Sequence, residues 1–267
     1  MPDHNQISNQ TSKQTSRQNS HANFLVRAFR TARIVAHTIT GLFVASIVLS
    51  LVNMQRKKGI VKWWCSGLLR AFHIKVKAFG DLPNANIQGA MFVANHVSWA
   101  DIHALNSMIP LRFVAKSDIK NWPVFGYLVT KANTLFIDRS KRQAAGRIVE
   151  TVSNSLSAGD NLCYFPEGTT TDGTHMLPFK SSVLQAAINA KTHVWPVAIR
   201  YVNKDGSINT AMAYAGETSM IESMKLIIMQ KNAIVELHFL APIQAAGRDR
   251  RELTDAAFAA IKAKLIL

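Results

Sequence analysis

Hydrophobic and polar positions divide this chain of 267 residues into three stretches. Residues 1–23 are mostly Gln, Asn, Ser and Thr, with Lys13 and Arg17 scattered among them. They lack the aliphatic side chains a core needs, which predicts a disordered tail. The tail is also too polar to serve as the n-region of a signal peptide starting at Met1. Residues 24–75 contain the run IVAHTITGLFVASIVLSLV at 34–52, 19 residues without a formal charge. At about 1.5 Å per residue, such a helix reaches roughly the 30 Å hydrocarbon thickness of a bilayer. A second pattern follows at 59–72, where Trp63, Trp64, Leu68, Leu69 and Phe72 fall near helical spacing with Lys62 and Arg70 among them. It predicts either an interfacial helix at headgroup level or an amphipathic helix packed on the next domain. Residues 76–267 form the third stretch, expected to be a folded domain.

Leading into that domain, the rhythm changes to short apolar runs at 74–79, 90–94, 112–115, 134–137, 162–165, 194–199 and 233–240. Helical periods fill gaps such as 141–156, 179–189 and 252–265. Alternating strands and helices predict an α/β fold, a mixed and largely parallel sheet flanked by helices. In such sheets functional residues gather in the loops beyond the carboxyl ends of the strands.

Charge refines the picture. Arg27, Arg30 and Arg33 precede the apolar run and Arg56, Lys57 and Lys58 follow it, placing cations where headgroup phosphates would lie. Because both flanks are basic, a helix that spans and one that enters and returns fit equally, and a buried helix of a soluble domain passes the same length test. The whole chain carries +15, which favours anionic partners: phospholipid surfaces, phosphorylated substrates, an acidic carrier protein or nucleic acid. With 48% apolar and 18% charged residues it is neither a disordered chain nor a fibre. Two cysteines, Cys65 and Cys163, are too few for a disulfide framework and suit a reducing compartment.

Two polar blocks directly follow apolar runs. The first is Asn95-His96-Val97-Ser98-Trp99-Ala100-Asp101. On a continuous helix five residues rotate about 500°, so His96 and Asp101 meet only if the chain turns between them. A strand ending at Asn95 and a helix beginning near Trp99 would let the carboxylate orient the imidazole as a general base. The same residues also fit a strand cap followed by an acidic first helical turn. A metal site that adds His103 matches no standard ligand spacing. The second block is Phe165-Pro166-Glu167-Gly168-Thr169-Thr170-Thr171-Asp172-Gly173, where glycine and hydroxyl residues can bring backbone N–H groups to an anion, or simply form a turn.

Together, His96-x4-Asp101 and Phe165-Pro166-Glu167-Gly168-Thr169 resemble the glycerolipid acyltransferases of the PlsC type, which acylate 1-acyl-sn-glycerol 3-phosphate. The resemblance extends through Phe113-Val114-Ala115-Lys116, Trp122-Pro123-Val124-Phe125-Gly126, Phe136-Ile137-Asp138-Arg139, Leu177-Pro178-Phe179-Lys180 and Trp195-Pro196-Val197-Ala198-Ile199. It implies transfer of an acyl group from acyl-CoA or acyl-acyl-carrier protein to a lysophospholipid hydroxyl, without a cofactor or metal. It further implies His96 as the base and Asp101 as its orienting acid. Arg139 would hold the acceptor phosphate, with Lys116 a second cation, and Glu167, Gly168 and Thr169 would belong to the acceptor site. The expected location is a membrane, with the catalytic domain on the cytoplasmic side of a bacterial inner membrane, anionic phospholipid as a partner and no role for nucleic acid.

One departure stands out. Many phosphatidate-forming members have arginine after the first threonine of the FPEGT block, and this chain has Thr170, which supplies a hydrogen bond without a charge. The block resembles variants among lysophospholipid and lyso-ornithine lipid acyltransferases, so the alternative to lysophosphatidate is another lysolipid such as lyso-ornithine lipid. Thioester hydrolysis at His96 uses the same base, and a non-catalytic protein binding anionic membranes is the alternative of a different class.

Overall fold

The computed structural model describes residues 22–84, 86–137 and 142–265. Asn23 opens the first helix by accepting the Val26 N–H on its side chain at 2.9 Å, the usual service of an N-cap. Helix α1 runs over Phe24–Leu51, with a π turn at Val44–Val48, and is long and apolar enough to cross a bilayer. It starts ten residues before the apolar run. The chain then reverses at Val52 and Asn53, and Asn53 caps α2, Met54–Ala71, by accepting the Arg56 N–H at 3.0 Å.

Helix α2 returns along α1 as a hairpin. The Trp64 indole N–H donates to the His37 carbonyl at 3.3 Å, and the two rings stack 5.5 Å apart. Gly41 permits this approach, since a Cβ there would strike the Trp64 indole. Leu25, Phe29, Ile39, Phe43, Ile47 and Leu51 form an exposed apolar surface on α1.

Arg30 departs from its expected place among the headgroup cations. It is 7% exposed, and its Nη1 donates to the carbonyls of Ile228 at 2.8 Å and Gln230 at 2.5 Å. These carbonyls close the helix over Met220–Met229, so α1 is bonded to the domain rather than only resting on it.

The domain is built on strands β1 (Ile74–Gly80), β2 (Met91–Ala94), β3 (Arg112–Lys116), β4 (Leu135–Ile137), β5 (Leu162–Tyr164), β6 (His193–Val202), β7 (Ala233–Phe239) and β8 (Ile243–Gln244). The sheet order is β1-β7-β6-β2-β5-β3-β4, with β8 beside β6. All neighbours pair in parallel except β6 with β7 and β6 with β8. This is the mixed, largely parallel sheet that the alternation predicts. Strand β1 begins at Ile74, so two of its residues fall within the stretch 24–75.

Helices α3 (Ala100–Met108), α4 (Phe125–Lys131), α5 (Arg142–Ser157), α6 (Gln185–Asn189), α7 (Met220–Met229) and α8 (Arg250–Leu265) complete the fold. Strand alternation separates two cores. Phe92, Ile199 and Leu237 face Leu68 and Leu69 of α2, Leu105 of α3 and Ile227 of α7. Met91, Val93 and Val194 face Val152 and Leu156 of α5, Ala187 of α6 and Leu253 of α8. Both faces of the sheet are thus covered, which explains why the strands read as continuous apolar runs. The helix expected over 179–189 starts only at Ser182, as a 3-10 turn leading into α6. Lys180 is held instead by its backbone N–H, which donates to the Pro166 carbonyl at 2.9 Å.

Candidate active site

Strands β2 and β6 run side by side until Ala94 meets Val197. The next residue, Asn95, continues the pairing with its side chain: Nδ2 donates to the Ile199 carbonyl at 3.0 Å and Oδ1 accepts the Ile199 N–H at 2.7 Å. The chain then turns, and α3 begins at Ala100 with Asp101 in its first turn. That turn brings His96 and Asp101 together as the spacing requires.

The His96 Nδ1 lies 2.8 Å from Asp101 Oδ2. The same oxygen accepts the N–H groups of Val97 at 2.8 Å and Ser98 at 3.0 Å, and Oδ1 accepts the Tyr201 hydroxyl at 2.6 Å. Asp101 is completely buried, yet four donors and the amino end of α3 compensate its charge. With Nδ1–H donating to the carboxylate, Nε2 is left with its lone pair, and the imidazole side chain stays 18% exposed.

The loop after β5 closes over the other side. Phe165 stacks on the His96 ring with centroids 3.9 Å apart. Glu167 is buried; its two oxygens accept the N–H of His96 and of Leu177, each at 2.8 Å. Burial pushes the Glu167 carboxyl above its ordinary pKa, against the pull of those two N–H groups. Gly168 turns the chain at φ +76°, a conformation glycine adopts freely. Thr169 is exposed, Thr170 donates to the Tyr214 carbonyl, and the Thr171 N–H donates to the His96 carbonyl at 2.9 Å.

His96, Asp101, Glu167 and Gly168 therefore form one cluster. Lys116 ends β3, exposed, at the same carboxyl edge of the parallel strands. Arg139 lies outside the described residues. Asn95, which the motif marks only as the strand end, and Tyr201, which it does not include, also belong to the site. The alternation of β6, which puts Val197, Ile199 and Tyr201 on one face, is the signal that could have found Tyr201.

An apolar cavity of about 700 Å³, counted with its open mouth, lies between α1, α2, α3 and α4. Its walls include Ala45, Trp64, Ile102, Phe113 and Leu128. Phe113 stacks on Phe165 at 5.9 Å, and Phe165 stacks on His96, so two aromatic contacts connect the cavity wall to the dyad. His103 also lines the cavity; burial, with a smaller contribution from His37, lowers its pKa to about 4 and keeps it neutral. Its ring faces Cys65, with Nδ1 3.5 Å from the sulfur.

This sheet carries a carboxylate-held imidazole and a carboxylate loop at adjacent strand ends, and residues 73–200 match the Acyltransferase family. The chain belongs to that family. The lyso-ornithine lipid O-acyltransferase of Pseudomonas aeruginosa is 34% identical over 209 residues, which cover 78% of this chain and 79% of that protein. The 1-acyl-sn-glycerol-3-phosphate acyltransferase of Neisseria meningitidis is 35% identical over 190 residues, covering 71% of this chain and 74% of that protein. Among solved structures, the LPA acyltransferase PlsC from Thermotoga maritima shares the fold with a TM-score of 0.62 at 20% identity, covering 89% of this chain and 96% of that one. The protein is thus an enzyme that transfers acyl groups, and the reading as a non-catalytic membrane binder falls.

Proposed function

We propose that this enzyme transfers a fatty acyl group from an acyl thioester to the free hydroxyl of 1-acyl-sn-glycerol 3-phosphate, with His96 as general base and Asp101 holding it in place. The His96–Asp101 contact carries this reading. A neutral imidazole with its proton fixed on Nδ1 offers Nε2 to the acceptor hydroxyl; the oxygen attacks the thioester carbonyl as its proton moves to Nε2, and the C–S bond then breaks with that proton passing to the departing sulfur, which leaves as the thiol and restores neutral His96. Base assistance of this kind contributes about 10²–10⁴-fold, so much of the acceleration comes from positioning the two substrates.

The apolar cavity beside Phe113 suits a hydrocarbon chain, and its walls on α1 and α2 suit a lipid delivered from a bilayer. The exposed apolar surface of α1 supports seating the hairpin in a membrane, with the chain turning back at Val52 and Asn53 rather than crossing. Lys116, Arg139 and the Glu167 loop would receive the acceptor headgroup, and acyl-CoA or acyl carrier protein would supply the acyl chain.

A second acceptor, lyso-ornithine lipid, is favoured by one observation. Thr170 stands where an arginine would add a cation, and its hydroxyl is already committed to the Tyr214 carbonyl. The deciding experiment supplies purified enzyme with a labelled acyl thioester and, separately, lysophosphatidate, lyso-ornithine lipid or no acceptor, each beside His96→Ala. Transfer to lysophosphatidate that vanishes in the variant supports the proposal, and transfer to lyso-ornithine lipid alone selects the second acceptor. Thioester loss without acceptor identifies a hydrolase.

A further inference from the structure

We propose that Tyr201 is a positioning residue that sets the basicity of His96 through the carboxylate between them. The inference rests on the reading of His96 as the base, and adds a third member to its hydrogen-bonded chain: Tyr201 hydroxyl to Asp101 Oδ1 at 2.6 Å, then Asp101 Oδ2 to His96 Nδ1 at 2.8 Å.

The fold fixes this relay from both ends. Tyr201 lies in β6 opposite Val235 of β7, on the strand face it shares with Ile199. Ile199 is the residue whose backbone is paired twice by Asn95, immediately before His96. The turn that makes the dyad is therefore tied to β6 before His96 by Asn95 and after it by the Tyr201–Asp101 bond. Tyr201 is 2% exposed and Asp101 fully buried, so no water competes for this contact.

The electrostatic consequence has a definite sign. Each donor on a carboxylate draws charge from it and weakens its pull on a neighbouring imidazolium. Two of the donors on Asp101 are backbone N–H groups, Val97 and Ser98, which side-chain substitution leaves in place. Tyr201 is the side-chain donor that can be removed separately from His96. Without it, more negative charge faces His96, the imidazole becomes more basic, and a larger fraction is protonated and idle as a base. The phenol itself remains a donor, because burial and the Asp101 charge push its pKa well above the ordinary value.

Among the described residues, the other titratable groups around the dyad are Glu167, whose carboxylate holds the His96 N–H, and Cys163 on β5, whose thiol is pushed well up by burial and by Asp101. Neither residue is altered when Tyr201 is replaced, so a shift between the two proteins reports the missing phenol together with the Ser98 hydroxyl that bonds it.

The test uses the full chain in detergent, as wild type and Tyr201→Phe. The pH dependence of kcat/KM is measured alongside the ring titration of His96 by NMR with carbon-13-labelled histidine, the resonance being identified by its loss in His96→Ala. Folded Tyr201→Phe is expected to retain transfer, with the ring pKa and the acid limb of the rate profile both moved up by about half a unit or more. That corresponds to roughly threefold lower kcat/KM on the acid limb. An unchanged ring titration in the folded variant overturns the proposal. If Tyr201→Phe does not fold, the four tyrosines are replaced by 3-fluorotyrosine, a stronger donor; the ring pKa should then fall, and no change or a rise overturns the proposal. Because the ring titration is read without turnover, it stays decisive even if His96→Ala keeps its activity and the base reading fails.

Discussion

Glu167 holds the backbone of His96: one carboxylate oxygen accepts the His96 N–H at 2.8 Å while the other accepts the Leu177 N–H at the same distance. A single side chain thus joins the loop after β2 to both ends of the loop after β5, and the Thr171 N–H on the His96 carbonyl closes the same seam. Glu167→Gln keeps the volume but has only one acceptor oxygen, so one buried N–H loses its partner at a cost of about 1–3 kcal/mol. The variant is expected to unfold at lower temperature and to lose kcat/KM together, measured by thermal unfolding and acyl transfer. Lost activity with an unchanged midpoint would show that Glu167 acts on substrate rather than on the His96 backbone.

Much of this arrangement is legible in the sequence, for physical reasons. Seven strands show as apolar runs because both sheet faces are covered, and the His96–Asp101 turn follows from the rotation of a helix over five residues. Helix α7 escapes because MIESMKLIIM mixes apolar residues without a clean stripe, whereas the start of α3 is legible as the helix beginning near Trp99. Arg30 misleads: beside an apolar run a cation fits a headgroup, and only the tertiary structure brings the end of α7 to it. Tyr201 lies in a strand whose pattern already explains it as core, so its bond to Asp101, 100 positions away, leaves no local trace.

Acceptor choice can be tested at Thr170. Its hydroxyl bonds the Tyr214 carbonyl and brings no charge to the loop that holds Glu167. Thr170→Arg should improve use of a phosphate-bearing acceptor relative to lyso-ornithine lipid, by about tenfold if one charge-assisted contact forms. The check is the ratio of kcat/KM for the two acceptors, with overall stability followed because the Tyr214 bond is lost. A ratio that does not move would place headgroup selection elsewhere, with Lys116 and Arg139 the next positions to vary.

Acid stability should report a contact far from the dyad. Arg112 at the start of β3 donates to Asp160 at 2.5 Å and to Ser155 at 2.6 Å, and Lys58 of α2 lies 3.7 Å from Asp160. Burial alone would raise the Asp160 pKa, but the hydrogen bonds from Arg112 and Ser155 and the charges of Arg112 and Lys58 outweigh it, so the net shift is downward. A depressed carboxyl pKa stabilises the fold above the ordinary carboxylate range, and that stabilisation is lost as pH falls through the folded-state value. Asp160→Asn is therefore expected to lower the unfolding midpoint at neutral pH by a few degrees and to flatten its acid dependence, the two proteins converging at low pH. Parallel curves at every pH would show that the charge of Asp160 is not what stabilises this corner.

The bond from Arg30 to the end of α7 predicts how the hairpin is fastened. A helix ends with unsatisfied carbonyls and a partial negative charge, and the last turn of α7 contains no basic residue of its own. Arg30 supplies the cation from another helix, donating to Ile228 and Gln230 from a buried position. At its other end α7 meets the dyad turn, where the Trp99 indole N–H donates to Ser223 at 3.1 Å. Arg30→Met preserves the apolar stem but leaves both carbonyls without their donor, a loss of about 1–3 kcal/mol. Hydrogen exchange should accelerate in the last turn of α7 and the first turns of α1, while the sheet stays protected. Activity is expected to fall as the α1 wall of the cavity loosens, with Arg30→Lys recovering part of it, since an ammonium keeps the charge but not the planar fork. Unchanged exchange in α7 with reduced membrane binding would return Arg30 to the headgroup role that its place beside the apolar run suggests.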